Sequence, residues 1–198
     1  GAGTGQLAMD LLVFLEKQQS LPRIYQIVEI SPSLRQRQQA RLQQQIPHLF
    51  PLIQWLEDWP KDPIQGVVLA NEVVDALPVH QFLWSGANIQ EIRIGYEKGY
   101  FSYHLGSVND PLLSDLDKLK ARYFPEMKTY RSEVCLGLSA WMRQLSSSIE
   151  QGLVLVIDYG FSVSEYYHPD RASGTLRCYY QHRIHGDPLC LVGLQDIT

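Results

Sequence analysis

The sequence predicts an α/β protein in which a mostly parallel sheet with crossover helices is interrupted by an antiparallel meander. A glycine-rich loop, GAGTG, runs straight into a helical pattern. Short apolar runs then alternate with polar helical stretches, the order expected of strands joined by crossovers. Between them, HQFLWSGANIQEIRIGYEKGYFSYHLG alternates in character and carries two turn signals, Ser85-Gly86 and Lys98-Gly99.

Taken in order, LAMDLLVFLEKQ places Leu7, Leu11, Leu12, Phe14 and Leu15 mostly at helical spacing. IYQIVEIS reads as a short buried strand ending at Glu29. Ser31 followed by Pro32 is a helix start, with serine as the cap and proline in the first turn. The helix it opens, SLRQRQQARLQQQ, is polar on most faces and is expected on the outside. PLIQWL is a third strand, ending near Trp55 and Glu57, and IQGVVLANE a fourth that turns polar at Asn71. Residues 80–106 form the meander, expected as an insertion on the sheet edge. Residues 107–151 are expected as a helical segment of two helices, the second ending at Gly152. GLVLVIDYG is then a buried strand ending at Asp158, FSVSEYYHPDRASG a mobile loop, and TLRCYYQHR a final strand.

The 198 residues suit one domain, 1–198, and 45% hydrophobic against 19% charged residues suit a packed core. A net charge of -4 speaks against a nucleic-acid binder. Cys135, Cys178 and Cys190 show no metal-ligand spacing and suit a reducing compartment; no metal site is expected. No run of 18 apolar residues suggests a membrane span. The six histidines share no helix face, and His182 alone invites attention. The abrupt start at the glycines, with no strand before them, suggests that the chain is a fragment trimmed at both ends.

The candidate chemistry begins with the loop. Gly1, Gly3 and Gly5, with Ala2 between, let the backbone approach a ligand closely, and the helix N-terminus behind them offers free N–H groups. Glu29 stands at the end of the next strand, where a carboxylate can accept both hydroxyl hydrogens of a ribose. Loop and acid in one Rossmann-like unit favour an adenosyl ligand, and both NAD and S-adenosylmethionine satisfy that geometry. NAD is disfavoured because position 6, where the dinucleotide fingerprint needs its third glycine, is Gln6. Asn71 and Glu72 end the fourth strand at the crevice where sheet ligands bind, and Asp75 follows. Acids so close together need a cation or donors between them, and a guanidinium answers that need. Asp158 and Glu133 are further acids at element ends.

GAGTGQLAMDLL, IVEISPSLRQRQQ, ANEVVDALPV, VIDYGF and RASGTLRCYYQHR with GLQDIT together resemble the MidA family along the whole chain. These are S-adenosylmethionine-dependent methyltransferases related to a mitochondrial complex I assembly factor that methylates arginine. The resemblance implies a class I methyltransferase sheet with S-adenosylmethionine as cofactor and a protein substrate, such as a respiratory-complex subunit. It implies that Gly1, Ala2, Gly3 and Gly5 approach the methionine part, that Glu29 holds the ribose, and that Trp55 to Asp58 borders the adenine. Asn71, Glu72 and Asp75 would face the transferred methyl and the acceptor. A non-catalytic assembly module with the same fold is the competing reading. Bacterial cytoplasm is the expected location, with the mitochondrial matrix as the alternative.

Overall fold

The computed structural model describes residues 1–123 and 129–198. In chain order the elements are α1 (Gln6–Lys17), β1 (Tyr25–Val28), α2 (Pro32–Gln45), β2 (Ile53–Leu56), β3 (Ile64–Asn71), β4 (His80–Ser85), β5 (Asn88–Glu97), β6 (Tyr100–Gly106) and α3 (Asp110–Tyr123). There follow β7 (Thr129–Val134), α4 (Leu138–Ser147), β8 (Ile149–Ile157), α5 (Val163–Tyr166), β9 (Cys178–Tyr180), β10 (Arg183–His185) and β11 (Asp196–Ile197). The chain divides into two compact units, Gly1–Glu72 with Met142–Ile157, and Val73–Trp141 with Asp158–Thr198.

The first unit holds two parallel strand pairs, β1 with β2 and β3 with β8. Its core is Ala8 and Leu12 of α1, Ile27 of β1, Leu42 of α2, Ile46, Leu49 and Ile53. Ala8 and Leu12 lie one helical turn apart and so share a face. Each fully buried leucine contributes roughly 2 kcal/mol of transfer free energy. The expected start of α2 holds: the Ser31 hydroxyl accepts from the Leu34 N–H at 3.4 Å, and Pro32 opens the helix. The helix lies on the outside as expected, with one inward stripe: Gln38 and Leu42, four residues apart, are fully buried.

The fourth strand and the run ending at Asp158 pair over the full length of β3, with Gly66 opposite Gly152. The helix expected to reach Gly152 stops at Ser147. The Ser148 hydroxyl folds back on the Leu145 carbonyl at 2.8 Å, and the following residues are claimed by strand pairing instead.

The second unit contains an antiparallel sheet in the order β6-β5-β4-β7. The meander of 80–106 is there as expected, but β7 joins it on β4, so residues 107–151 are not all helical. TYRSEV carries the signal for β7: Tyr130 and Ser132 alternate inward. The sheet is one of its own and not an edge of the parallel pairs. One face carries Phe82, Trp84 and Tyr130, which cluster with Leu112 and Leu116 of α3 and with Tyr167.

On β5, Glu91 is buried between His80 and Arg93, each 2.7 Å from a carboxylate oxygen, and Arg93 also donates to the Ser107 carbonyl. The His80 hydrogen bond first, then Arg93, hold this carboxyl below its usual value despite its burial. A lowered folded pKa means stability that is complete above the unfolded value, 4.5, and is lost as the pH falls through the folded one. Acid titration of the melting temperature is therefore expected to show a fall below that pH that is smaller in Glu91→Gln. Equal slopes in the two proteins would refute this.

The stretch 161–174, expected to be mobile, is bolted to β7. Ser162 and Glu165 form a capping box, Arg131 N–H donates to the Ala172 carbonyl at 2.9 Å, and the Tyr167 hydroxyl donates to the Glu133 carbonyl at 3.0 Å. The final strand proves to be a hairpin, β9 with β10, flanked by β11. His182, with φ +64 beside Gln181 at φ +47, is one of its turn residues.

Candidate cofactor site

The loop before α1 is shaped by its glycines. Gly3 has φ +51 and Gly5 φ +80, values that side chains rarely adopt, and the Gly5 N–H donates to the Ala2 carbonyl at 2.9 Å. A Cβ on Gly1 or Gly3 would meet nothing within 4 Å, so both open onto free space. Gly5 differs: its missing Cβ faces Leu42 and Gln38 of α2 at 3.4 and 3.5 Å, so here glycine lets two helices approach. Ala2 packs its methyl against the core.

Glu29 follows directly on β1, its N–H bonded to the Leu56 carbonyl of the next strand at 3.0 Å. One carboxylate oxygen accepts from Ser31 N–H at 2.9 Å and the other from the Gln38 amide at 3.0 Å. Each oxygen therefore has a single hydrogen bond from the described residues and keeps acceptor capacity for a further donor. Next to it Ile30 is 81% exposed, an apolar side chain at the rim of a depression shared with Arg35 and Glu57. Trp55 is turned inward: its indole N–H donates to Gln38 at 2.9 Å and its ring lies 5.8 Å from that of Phe50.

At the end of β3 the backbone of Gly1 lies beside the carbonyl oxygens of Asn71 and Glu72, so loop and strand end meet within one unit. Glu72 is held in a left-handed conformation, φ +47, and its N–H donates to the Ile157 carbonyl at 2.8 Å. Such a conformation in a residue other than glycine costs about 1 kcal/mol; Gln19, Lys98, Gln181 and His182 share it at turns and a helix end. The Glu72 side chain is exposed and takes no hydrogen bond from the described residues.

In the second unit, Asp158 gathers the chain after Glu72. One carboxylate oxygen accepts from the N–H groups of Val73, Val74 and Asp75 at 2.9 to 3.3 Å, and the other from Tyr159 N–H at 2.9 Å. Asp158 is thus an anchor for this stretch, which turns over Asp75 and Ala76 with the Leu77 N–H on the Val74 carbonyl at 3.2 Å. Asp75 Oδ1 is buried with no hydrogen-bond partner among the described residues. The Tyr159 phenol is pushed above its usual value first by desolvation, then by its hydrogen bond to Asp75 and the charge of that carboxylate, with a hydrogen bond to Thr198 working the other way.

Glu133 lies inside β7, 2% exposed, where its carboxylate accepts from Gln81, Thr175 N–H and the Thr175 hydroxyl at 2.9 to 3.2 Å. A Cβ on Gly174 would sit 2.5 Å from it. Its partners are those of a strut and not of an open site. Among the described residues no group of three or more His, Cys, Asp and Glu is placed to hold a metal, and no helix is long and apolar enough to cross a membrane.

An α/β chain with an open glycine loop, an acid ending the next strand and a strained acid ending a further one has the parts of an adenosyl-cofactor protein. It belongs to the family described as "Putative S-adenosyl-L-methionine-dependent methyltransferase", whose sequence model matches residues 1–198. The resemblance to MidA-type methyltransferases read from the sequence therefore holds. One relative, "Protein arginine methyltransferase NDUFAF7 homolog, mitochondrial" of Drosophila melanogaster, is 31% identical over the whole chain, which covers 48% of it. The corresponding protein of Mus musculus is 29% identical over 74% of the chain, covering 31% of its own length. The chain thus spans about half or less of these relatives. Two crystal structures of COG1565 superfamily proteins from Burkholderia thailandensis are similar over the whole chain at 36% identity. One, bound to S-adenosyl-homocysteine, has a TM-score of 0.87 and the chain covers 50% of it; the other, a native structure, has 0.88 and 52%. These neighbours carry the α/β methyltransferase fold expected from the sequence.

Proposed function

We propose that the protein transfers a methyl group from S-adenosylmethionine to an arginine of a protein partner. The observation that carries the reading is the strained, unpaired carboxylate of Glu72 fixed beside the open glycine loop. When bound, the cofactor supplies an activated methyl group on a sulfonium, a leaving group that needs no protonation. The residues fit it: Gly1 and Gly3 leave room at the backbone, and both Glu29 oxygens keep acceptor capacity for ribose hydroxyls. The exposed Ile30 and the stretch from Trp55 to Asp58 would border the adenine.

Methyl transfer is an in-line displacement, so the chain's task is alignment of the acceptor and handling of its charge. Glu72 and Asp75 would orient a guanidinium, whose five donors match carboxylates. Asn71 and Asp75 are the further residues read from the sequence for this role. One of the acids, or water, takes the proton released after transfer. The relatives' names support arginine as the acceptor and a protein as the substrate. The meander 80–106 and the stretch 161–174 are the partner-contact candidates. Those names are mitochondrial, in line with the alternative location, while the similar solved structures come from a bacterium, in line with the first.

The test is to incubate the intact protein with radiolabelled S-adenosylmethionine and a cell lysate. A labelled protein that yields methylarginine on hydrolysis is the expected result. Cofactor binding with no labelled protein would favour the non-catalytic assembly module, and calorimetric binding of NAD in its place would overturn the reading.

A further inference from the structure

We propose that Gln38 is a positioning residue of the cofactor site, fixing the Gly3 carbonyl, the Glu29 carboxylate and the Trp55 indole in one arrangement. The proposal rests on the reading of Glu29 as the ribose-binding acid. Gln38 lies in a helix of glutamines and arginines, yet it is fully buried. Its amide nitrogen donates to the Gly3 carbonyl at 2.8 Å and to Glu29 at 3.0 Å, and its oxygen accepts from the Trp55 indole at 2.9 Å. The orientation of the amide is not arbitrary. An indole can only donate, and a carbonyl and an ionised carboxylate can only accept, so a flipped amide would fail all three.

A buried amide is costly unless its bonds are made, and here both N–H groups and the oxygen are used. The same side chain packs against Gly5, so the loop and α2 are registered by contact as well as by hydrogen bonds. Gln38 thereby sets three parts from separate stretches of the chain: the loop open to the methionine end, the ribose acid and the aromatic residue on the adenine side. It also donates to the oxygen of Glu29 that Ser31 leaves free.

Charged groups surround this network. Arg35 on α2 donates to the Glu29 carbonyl at 3.0 Å and pairs with Glu57 beyond β2 at 2.8 Å. Arg41 bonds Thr4 and Gln6, and Gln6 donates to Asp10 on α1. Among the described residues, Glu29 is the titratable group that bonds the Gln38 amide.

Two variants test the network. Gln38→Leu removes a donor from Glu29 and leaves the Gly3 carbonyl unpaired. Binding of S-adenosylhomocysteine is expected to weaken roughly tenfold to a hundredfold. Gln38→Glu places two carboxylates in contact, which share one proton at low pH and repel once it is lost. Its binding is expected to weaken as the pH rises. Calorimetric titration of the intact protein at about pH 5.5 and about pH 8 reads both, with Glu29→Gln as the reference. A residue that merely fills the core would lower the melting temperature without the pH-dependent loss in Gln38→Glu. If Gln38→Leu does not fold, that loss in Gln38→Glu decides. Parent-like affinity and pH profile in the folded variants, with Glu29→Gln still weakened, would overturn the proposal. Unchanged binding in Glu29→Gln would instead overturn the ribose reading and this proposal with it.

Discussion

Glu72→Gln is expected to abolish methyl transfer, by on the order of a hundredfold to a thousandfold in kcat, while cofactor affinity and melting temperature stay near those of the parent. The structure makes the three readouts separable. The Glu72 backbone is held by its N–H to the Ile157 carbonyl, and glutamine leaves that bond in place. Its side chain is exposed and unpaired among the described residues, so folding gains nothing from the charge. What glutamine loses is the anion that would face a guanidinium and spread its charge. Initial rates, calorimetric binding of S-adenosylhomocysteine and thermal melting check the three in turn. Equal loss of affinity and rate would place Glu72 among the cofactor contacts, and an unchanged rate would remove it from the site.

Gly152→Ala is expected to be the most damaging small substitution in the first unit. Gly152 sits in β8 opposite Gly66 with φ +150, and a Cβ there would lie 1.7 Å from the Gly66 carbonyl oxygen. The obstacle is backbone, so no side-chain rotation relieves it. The strands must part or shift, which breaks the ladder that carries Asn71 at one end. A loss of about 3 kcal/mol or more is expected, lowering the melting temperature by roughly 10 °C for a chain of this size. Gly66→Ala is the internal control, because its own Cβ would meet nothing within 4 Å. Parent-like melting of Gly152→Ala would refute the close approach of the two strands.

Both positions show how differently sequence informs on site and on scaffold. Glu72 was visible because it ends an apolar run, where a polar residue marks the rim of a sheet. Gly152 looked like a helix terminator, since nothing adjacent to it reveals that Gly66, far back in the chain, lies opposite. Gln38 was hidden more thoroughly. In QRQQARLQQQ each glutamine looks alike, and burial of this one follows from Gly5, Glu29 and Trp55 closing around it. Glu133 was likewise grouped with the acids of the site, until Gln81 and Thr175 turned it into a strut.

The amino-acid order by itself determined the glycine loop, the Ser31-Pro32 cap, the strand-end acids Glu29 and Glu72 and the hairpin turns of the meander. Their physics is short-ranged: positive φ, a cap and a turn are settled by residues within a few places of one another. The fate of residues whose partners lie far off in the chain was decided by tertiary structure alone. β7 became a strand because β4 offered it an edge, and Gln38 became a buried hub because three separate segments presented the right donors and acceptors. A hydrogen bond between distant segments leaves no local mark, since its energy depends on a partner that only the folded chain brings within reach.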